Sequence, residues 1–147
     1  MSQSPYEFVT YQGAVSPNTS PNHLSICALT RGHKFPSRQR FHLIELGCGD
    51  GANLLPLAFY HPESTFIGID NARGELDRAS EGAKYLGLGN IHFVLKDVRD
   101  LAPQDCSPCD YVIAHGLYSW VSDDARAAIL AFCRQSMTPS GLAYISY

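Results

Sequence analysis

The stretch Glu45-Leu46-Gly47-Cys48-Gly49-Asp50-Gly51-Ala52-Asn53 carries the densest chemistry in this chain. Glycines between an apolar run and a helical stretch allow a tight turn and let a ligand approach the backbone closely. Gly47, Gly49 and Ala52 fit the G-x-G-x-x-G/A pattern of dinucleotide-binding loops, which alone is a weak signal. Two acids point away from a pyrophosphate. Glu45 precedes the first glycine by two residues, and Asp50 lies inside the loop, where it would repel a diphosphate. Both suit a ligand with positive charge near the loop, such as the ammonium and sulfonium of S-adenosylmethionine.

The elements that must position these residues follow from the pattern around them. Phe41 to Leu46 reads as a buried strand broken by the glycines, and Asn53 to Tyr60 as a helix that tolerates Pro56 only near its first turn. Thr65 to Asp70 is a second strand ending in an acid. Leu76, Ala79, Ala83 and Leu86 follow at helical spacing and stop at Gly87. Ile91 to Val98 is a third strand and Asp110 to Ala114 a fourth. Ser122 caps a helix that buries Ile129, Phe132, Cys133 and Met137; Pro139-Ser140-Gly141 turns the chain into a fifth strand, Leu142 to Tyr147. Alternation at this spacing predicts an α/β fold with a doubly wound parallel sheet, order 3-2-1-4-5, whose ligands lie beyond the carboxyl ends of the strands. Residues 41–147 form that domain. Residues 1–40 read as an extended arm, a short helix opened by Ser20-Pro21 and stopped at Gly32, and a basic connector from Arg31 to Arg40.

In this loop and the strand ends after it, the chain resembles the class I, Rossmann-like methyltransferases that use S-adenosylmethionine. Their first motif is an acid, any residue, then G-x-G-x-G, matched here by Glu45, Gly47, Gly49 and Gly51. The resemblance implies that Asp70, with Asn71 beside it, takes the ribose hydroxyls. It implies that Asp97 meets the adenine amino group while Val98 lies near the ring, and that Cys48 and Asn53 belong to the cofactor loop. Each acid has a bland reading as well: Glu45 paired inside the strand, Asp70 as a helix cap, Asp97 as a turn residue. The segment Ile113 to Val121, with the arm segment Ser16-Pro17-Asn18-Thr19-Ser20-Pro21, looks like the bacterial methyltransferases that carry a downstream methyltransferase regulatory domain. Some relatives in that subgroup methylate protein lysines.

Methyl transfer from a sulfonium needs alignment above all, and a lysine or hydroxyl acceptor must also lose a proton. The resemblance puts acceptor-side residues after the fourth strand. His115 is the best-placed base there and also adjoins the cofactor, although a lone histidine in such a place is more often structural. Tyr118 and Trp120 wall an acceptor pocket or pack under the next helix. Tyr6 and Tyr11 are candidates to close over the cofactor. Cys106-Ser107-Pro108-Cys109 has C-x-x-C spacing but no second ligand pair, so no metal site is expected. A cofactor-binding module without catalysis and a nicotinamide-dependent oxidoreductase remain as alternative readings.

A length of 147 residues fits one domain, and 45% hydrophobic with 17% charged residues suits a globule with a real core. Eleven basic against fourteen acidic residues give −3, so nucleic acid is not expected as a partner. No apolar run reaches the length of a membrane span, and Met1 to Pro5 has no secretory pattern. Five irregularly spaced cysteines fit a reduced, cytoplasmic protein. The methyl acceptor is left open. Class I methyltransferases ordinarily complete their sheet with a C-terminal hairpin that is missing after the fifth strand. The chain is therefore expected to be a truncated domain whose exposed fifth-strand edge invites self-association.

Overall fold

The computed structural model describes residues 13–105 and 108–146. Five strands form one sheet: β1 (His42–Leu46), β2 (Thr65–Asp70), β3 (Ile91–Leu95), β4 (Cys109–Ala114) and β5 (Met137–Ile145). Their order is β3-β2-β1-β4-β5 and every pairing is parallel, as the alternation of elements predicts. The order reverses between β1 and β4, which makes the carboxyl ends of those two strands the place for a ligand.

Helices cover both faces because the central strands are apolar on both. Leu43 and Phe66 face α1 (Pro21–Leu29), α2 (Leu54–Tyr60) and α3 (Arg73–Tyr85), in one core with Leu24, Leu54, Ala58, Leu76 and Tyr111. Ile44, Leu46 and Ile69 face α4 (Asp123–Ser136) through Ile129, Phe132 and Cys133. Glu45 shares the face of Leu43, so its carboxylate points toward the start of α2.

The short helix α1 is part of this packing. Ser20 Oγ accepts from the His23 amide at 3.2 Å, Pro21 fills the first helical position and Ser25 meets the Tyr111 hydroxyl at 3.1 Å. Its end is closed at Gly32, where φ is +72° and the His33 amide returns to the Ala28 carbonyl. At the other end of the chain the sequence expectation differs from the structure. No separate turn precedes β5; α4 runs straight into it. Cys109 pairs with Met137 and Tyr111 with Leu142, so Pro139 to Gly141 are absorbed as an irregularity in the ladder. The third strand likewise stops at Leu95 and gives way to a 3-10 turn, Val98–Asp100.

Candidate cofactor and active site

The loop after β1 is fixed from below by backbone. The amides of Gly47 and Cys48 both donate to the Ile69 carbonyl of β2, at 2.8 and 3.2 Å, and the Gly51 amide donates to Cys48 at 3.0 Å. Cys48 tucks its thiol over Gly68, where a Cβ would lie 2.7 Å from the sulfur. Burial raises that thiol well above its usual range, and the neighbouring Asp70 and Glu45 raise it further, so it is protonated packing. Gly49 differs from its neighbours. Its φ is +53°, and among the described residues nothing stands within 4 Å of where its Cβ would be. Open space over a left-handed glycine is a cradle a ligand can enter.

Asp70 holds this loop in place. One carboxylate oxygen accepts from the Gly49 amide at 2.9 Å, and the other from the Ala72 amide at 2.9 Å. Each oxygen retains a lone pair for a further donor. Asp97, beyond β3, is engaged more completely. Arg99 approaches it through its backbone amide and both Nε and Nη2, at 2.9, 2.9 and 2.7 Å, and Asn71 adds a side-chain hydrogen bond. The Arg99 guanidinium holds the carboxyl of Asp97 down at about 2. Val98 opens the 3-10 turn after it and packs against the α4 side of the core.

Glu45 is only 3% exposed. Its Oε1 accepts from Asn53 Nδ2 at 2.9 Å, while Oε2 is buried with no partner among the described residues. Burial pushes this carboxyl up to about 8, against the Asn53 hydrogen bond that lowers it; the charge of Asp70 adds to the rise. A buried carboxylate with one unanswered oxygen, next to a glycine cradle, is built to receive a cationic donor.

Across the switch point, His115 follows β4. Its Nδ1 lies 3.0 Å from Ser146 Oγ, which also accepts from the Gly116 amide at 2.9 Å, and its ring tilts toward Tyr144. Tyr118 packs its ring under the Arg126 guanidinium at 5.6 Å, and Arg126 Nε donates to the Tyr118 carbonyl at 2.9 Å. Trp120 is 73% exposed. Thus the structure gathers Glu45, Gly47, Cys48, Gly49 and Gly51 with Asp70 around one loop. Asn71, Asp97 and Val98 flank it at the β2 and β3 ends, and His115 and Tyr118 stand at the β4 end. Tyr6, Tyr11 and Cys106 lie outside the described residues. Ser146, Arg99 and Arg126 had no sequence signal of their own, being ordinary polar residues until folding brings them here.

The methyltransferase domain family matches residues 43–141 of this sequence. The chain belongs to that family. The family is S-adenosylmethionine-dependent. An uncharacterized protein of Rickettsia prowazekii is 35% identical over 144 residues, covering 98% of this chain and 26% of that protein. The solved structure of PKMT2 from Rickettsia typhi in complex with S-adenosylhomocysteine superposes with a TM-score of 0.89 at 27% identity, over 93% of this chain and 26% of that one. A methyltransferase from Thiobacillus denitrificans, also with S-adenosylhomocysteine, shares the fold at a TM-score of 0.60 and 19% identity, covering 94% of this chain and 51% of its own. The chain spans about a quarter of the first relative's length and 56% of a second R. prowazekii protein.

The residues present fit such a cofactor in this methyltransferase domain. The unpartnered Glu45 Oε2 answers a positive charge, and the cradle over Gly49 gives room for it. Among the described residues no cluster of His, Cys, Asp or Glu could hold a metal, and no helix is long and apolar enough to cross a membrane.

A pH dependence follows from Glu45. Its folded-state pKa, about 8, lies above the unfolded value, so between those values the native state holds the extra proton. Stability is then lost as pH rises through that window. The melting temperature of the free protein should fall from pH 5 to pH 8, and Glu45→Gln should flatten that slope. A slope unchanged in Glu45→Gln would assign the dependence to another group.

Proposed function

We propose that this chain transfers the methyl group of S-adenosylmethionine to a nucleophile admitted beside the β4 end, on a protein lysine or a small molecule. The unpartnered buried oxygen of Glu45 carries the reading. When bound, the cofactor supplies an activated methyl carbon on a sulfonium. Glu45 meets the ammonium, the backbone of Gly47, Cys48, Gly49 and Gly51 lines the cradle, and Asp70 with Asn71 takes the ribose hydroxyls. Asp97 and Val98 border the adenine. Because Arg99 already occupies much of the Asp97 carboxylate, adenine contact there falls to whichever lone pair faces outward.

His115 serves as the acceptor-side base only when its Nδ1–H donates to Ser146, which leaves Nε2 free to take a proton. Tyr118, braced by Arg126, forms one wall of the acceptor side. Within the family the reading places the chain nearest the bacterial methyltransferases with a downstream regulatory domain; the segment Ser16 to Pro21 supports this. A cytoplasmic setting belongs to the same reading, supported by buried thiols at Cys48 and Cys133.

Two measurements test it. Calorimetry should show binding of S-adenosylhomocysteine and none of NAD; the reverse would make the loop a dinucleotide site. Incubation with methyl-labelled S-adenosylmethionine and a bacterial lysate should label an acceptor, and His115→Ala should reduce that labelling about 10²-fold or more if a general base is at work. Binding without any labelling would assign the chain to a cofactor-binding module instead.

A further inference from the structure

Segment 13–19 of the arm reaches the cofactor loop directly. A Cβ on Gly13 would collide with Asp50 Oδ1 and lie 2.6 Å from the Ala52 Cβ, so the arm backbone runs hard against the loop here. Asp50 cannot easily yield, because the same Oδ1 accepts from the Ala52 amide at 3.1 Å. Three residues on, the Ser16 amide donates to Asn53 Oδ1 at 2.9 Å. Thr19, fully buried at the end of the 3-10 turn Pro17–Thr19, donates through Oγ1 to the Ser16 carbonyl at 2.8 Å. The Ser16 carbonyl is a shorter partner for that single hydrogen than Asn53 Oδ1, at 3.2 Å, and the Thr19 oxygen accepts from Asn53 Nδ2 at 3.1 Å.

The hydrogen-bond count makes this arrangement directional. A backbone N–H can be met only by an acceptor, so the Ser16 amide forces Asn53 to present Oδ1 to the arm. The two Nδ2 hydrogens are then assigned, one to Thr19 and one to Glu45 Oε1 at 2.9 Å. The opposite amide orientation would set the Ser16 N–H against the Asn53 NH2 group and leave it unmatched. Asn53 is 6% exposed and has no hydrogen left for a ligand. It acts on the cofactor through Glu45.

We propose that Thr19 is a positioning residue for the aminoacyl end of the cofactor: with the Ser16 amide it orients Asn53, which engages one oxygen of Glu45 and leaves the other aimed at the ligand's ammonium. This rests on the reading of Glu45 given above.

The test compares two probes that differ at that end. S-adenosylhomocysteine has an amino acid; 5′-methylthioadenosine lacks it. In the full chain, Thr19→Val should weaken S-adenosylhomocysteine about tenfold, as loss of a buried hydrogen bond does, and leave 5′-methylthioadenosine unchanged. Thr19→Ser, which keeps the hydroxyl, should stay within about twofold of the wild type. If Thr19→Val does not give a folded protein, Thr19→Ala against Thr19→Ser isolates the same hydroxyl. Glu45→Gln is measured alongside and should abolish the preference for the amino-acid-bearing probe. A parallel loss of both probes in Thr19→Val would mean a merely structural role and overturn the proposal. If Glu45→Gln loses the preference while Thr19→Val keeps it, the relay fails and Glu45 stands. If Glu45→Gln keeps the preference, the reading of Glu45 itself fails and takes the relay with it.

Discussion

Asp70→Ala is expected to weaken S-adenosylhomocysteine binding by roughly 2–4 kcal/mol, which is about 30- to 900-fold, with the fold retained. Two losses combine in this number. The ribose hydroxyls lose a charged acceptor, and the Gly49 amide loses the oxygen that holds it at 2.9 Å. The second loss was not apparent from the sequence, where Asp70 stood only as a ribose ligand or a helix cap. In the structure its other oxygen accepts from the Ala72 amide two residues on, but the cap position of α3 is Ala72 itself, so Asp70 closes a turn ahead of the helix and does not cap it. One carboxylate therefore organises the loop from beneath and, in the proposed reading, would also take the ribose from the same position. Asp70→Asn separates these duties. Its carbonyl oxygen can still take the Gly49 amide, while the charge offered to the hydroxyls is gone. Calorimetry should place it between the wild type and Asp70→Ala. A change of less than threefold in Asp70→Ala would remove the ribose assignment.

What could be read beforehand depended on how local each cause was. Strands β1 and β2 are apolar runs ended by a glycine and an acid, and β4 is an apolar run with Asp110 near its start, so each signal sits within a few residues. Glu45, the glycines and Asp70 were legible for the same reason, since they lie on one strand, one turn and the next strand end. The β5 start was not, because Pro139-Ser140-Gly141 carries turn chemistry that the pairing with β4 overrides. That pairing is a tertiary fact. Thr19 was hidden likewise: it lies 34 residues from Asn53, and nothing in Pro17-Asn18-Thr19 announces a buried hydroxyl. Arg99 stands only two residues past Asp97, yet its grip is visible only once the 3-10 turn folds the guanidinium back. Ser146 becomes a partner of His115 only because β4 and β5 end side by side.

Gly49→Val should abolish cofactor binding, a loss of more than about 10²-fold, because the side chain would occupy the open space through which the proposed ligand approaches the backbone. Two causes could produce such a loss, and a second glycine separates them. A β-branched residue at φ +53° is strained by about 1–3 kcal/mol whatever surrounds it, and that strain alone is able to distort the loop. Gly87, at the end of α3, has φ +65° and equally open space where its Cβ would be, but lies away from the loop. Gly87→Val therefore carries the same backbone penalty without the obstruction. Both variants should melt several degrees below the wild type. Only Gly49→Val should fail to bind S-adenosylhomocysteine. Equal losses of affinity in the two would mean that general destabilisation weakens binding, and unchanged affinity in Gly49→Val would mean that the loop faces something other than the cofactor. Gly49→Ala refines the point: it keeps most of the strain with one carbon in the cradle, so its affinity should fall between the wild type and valine.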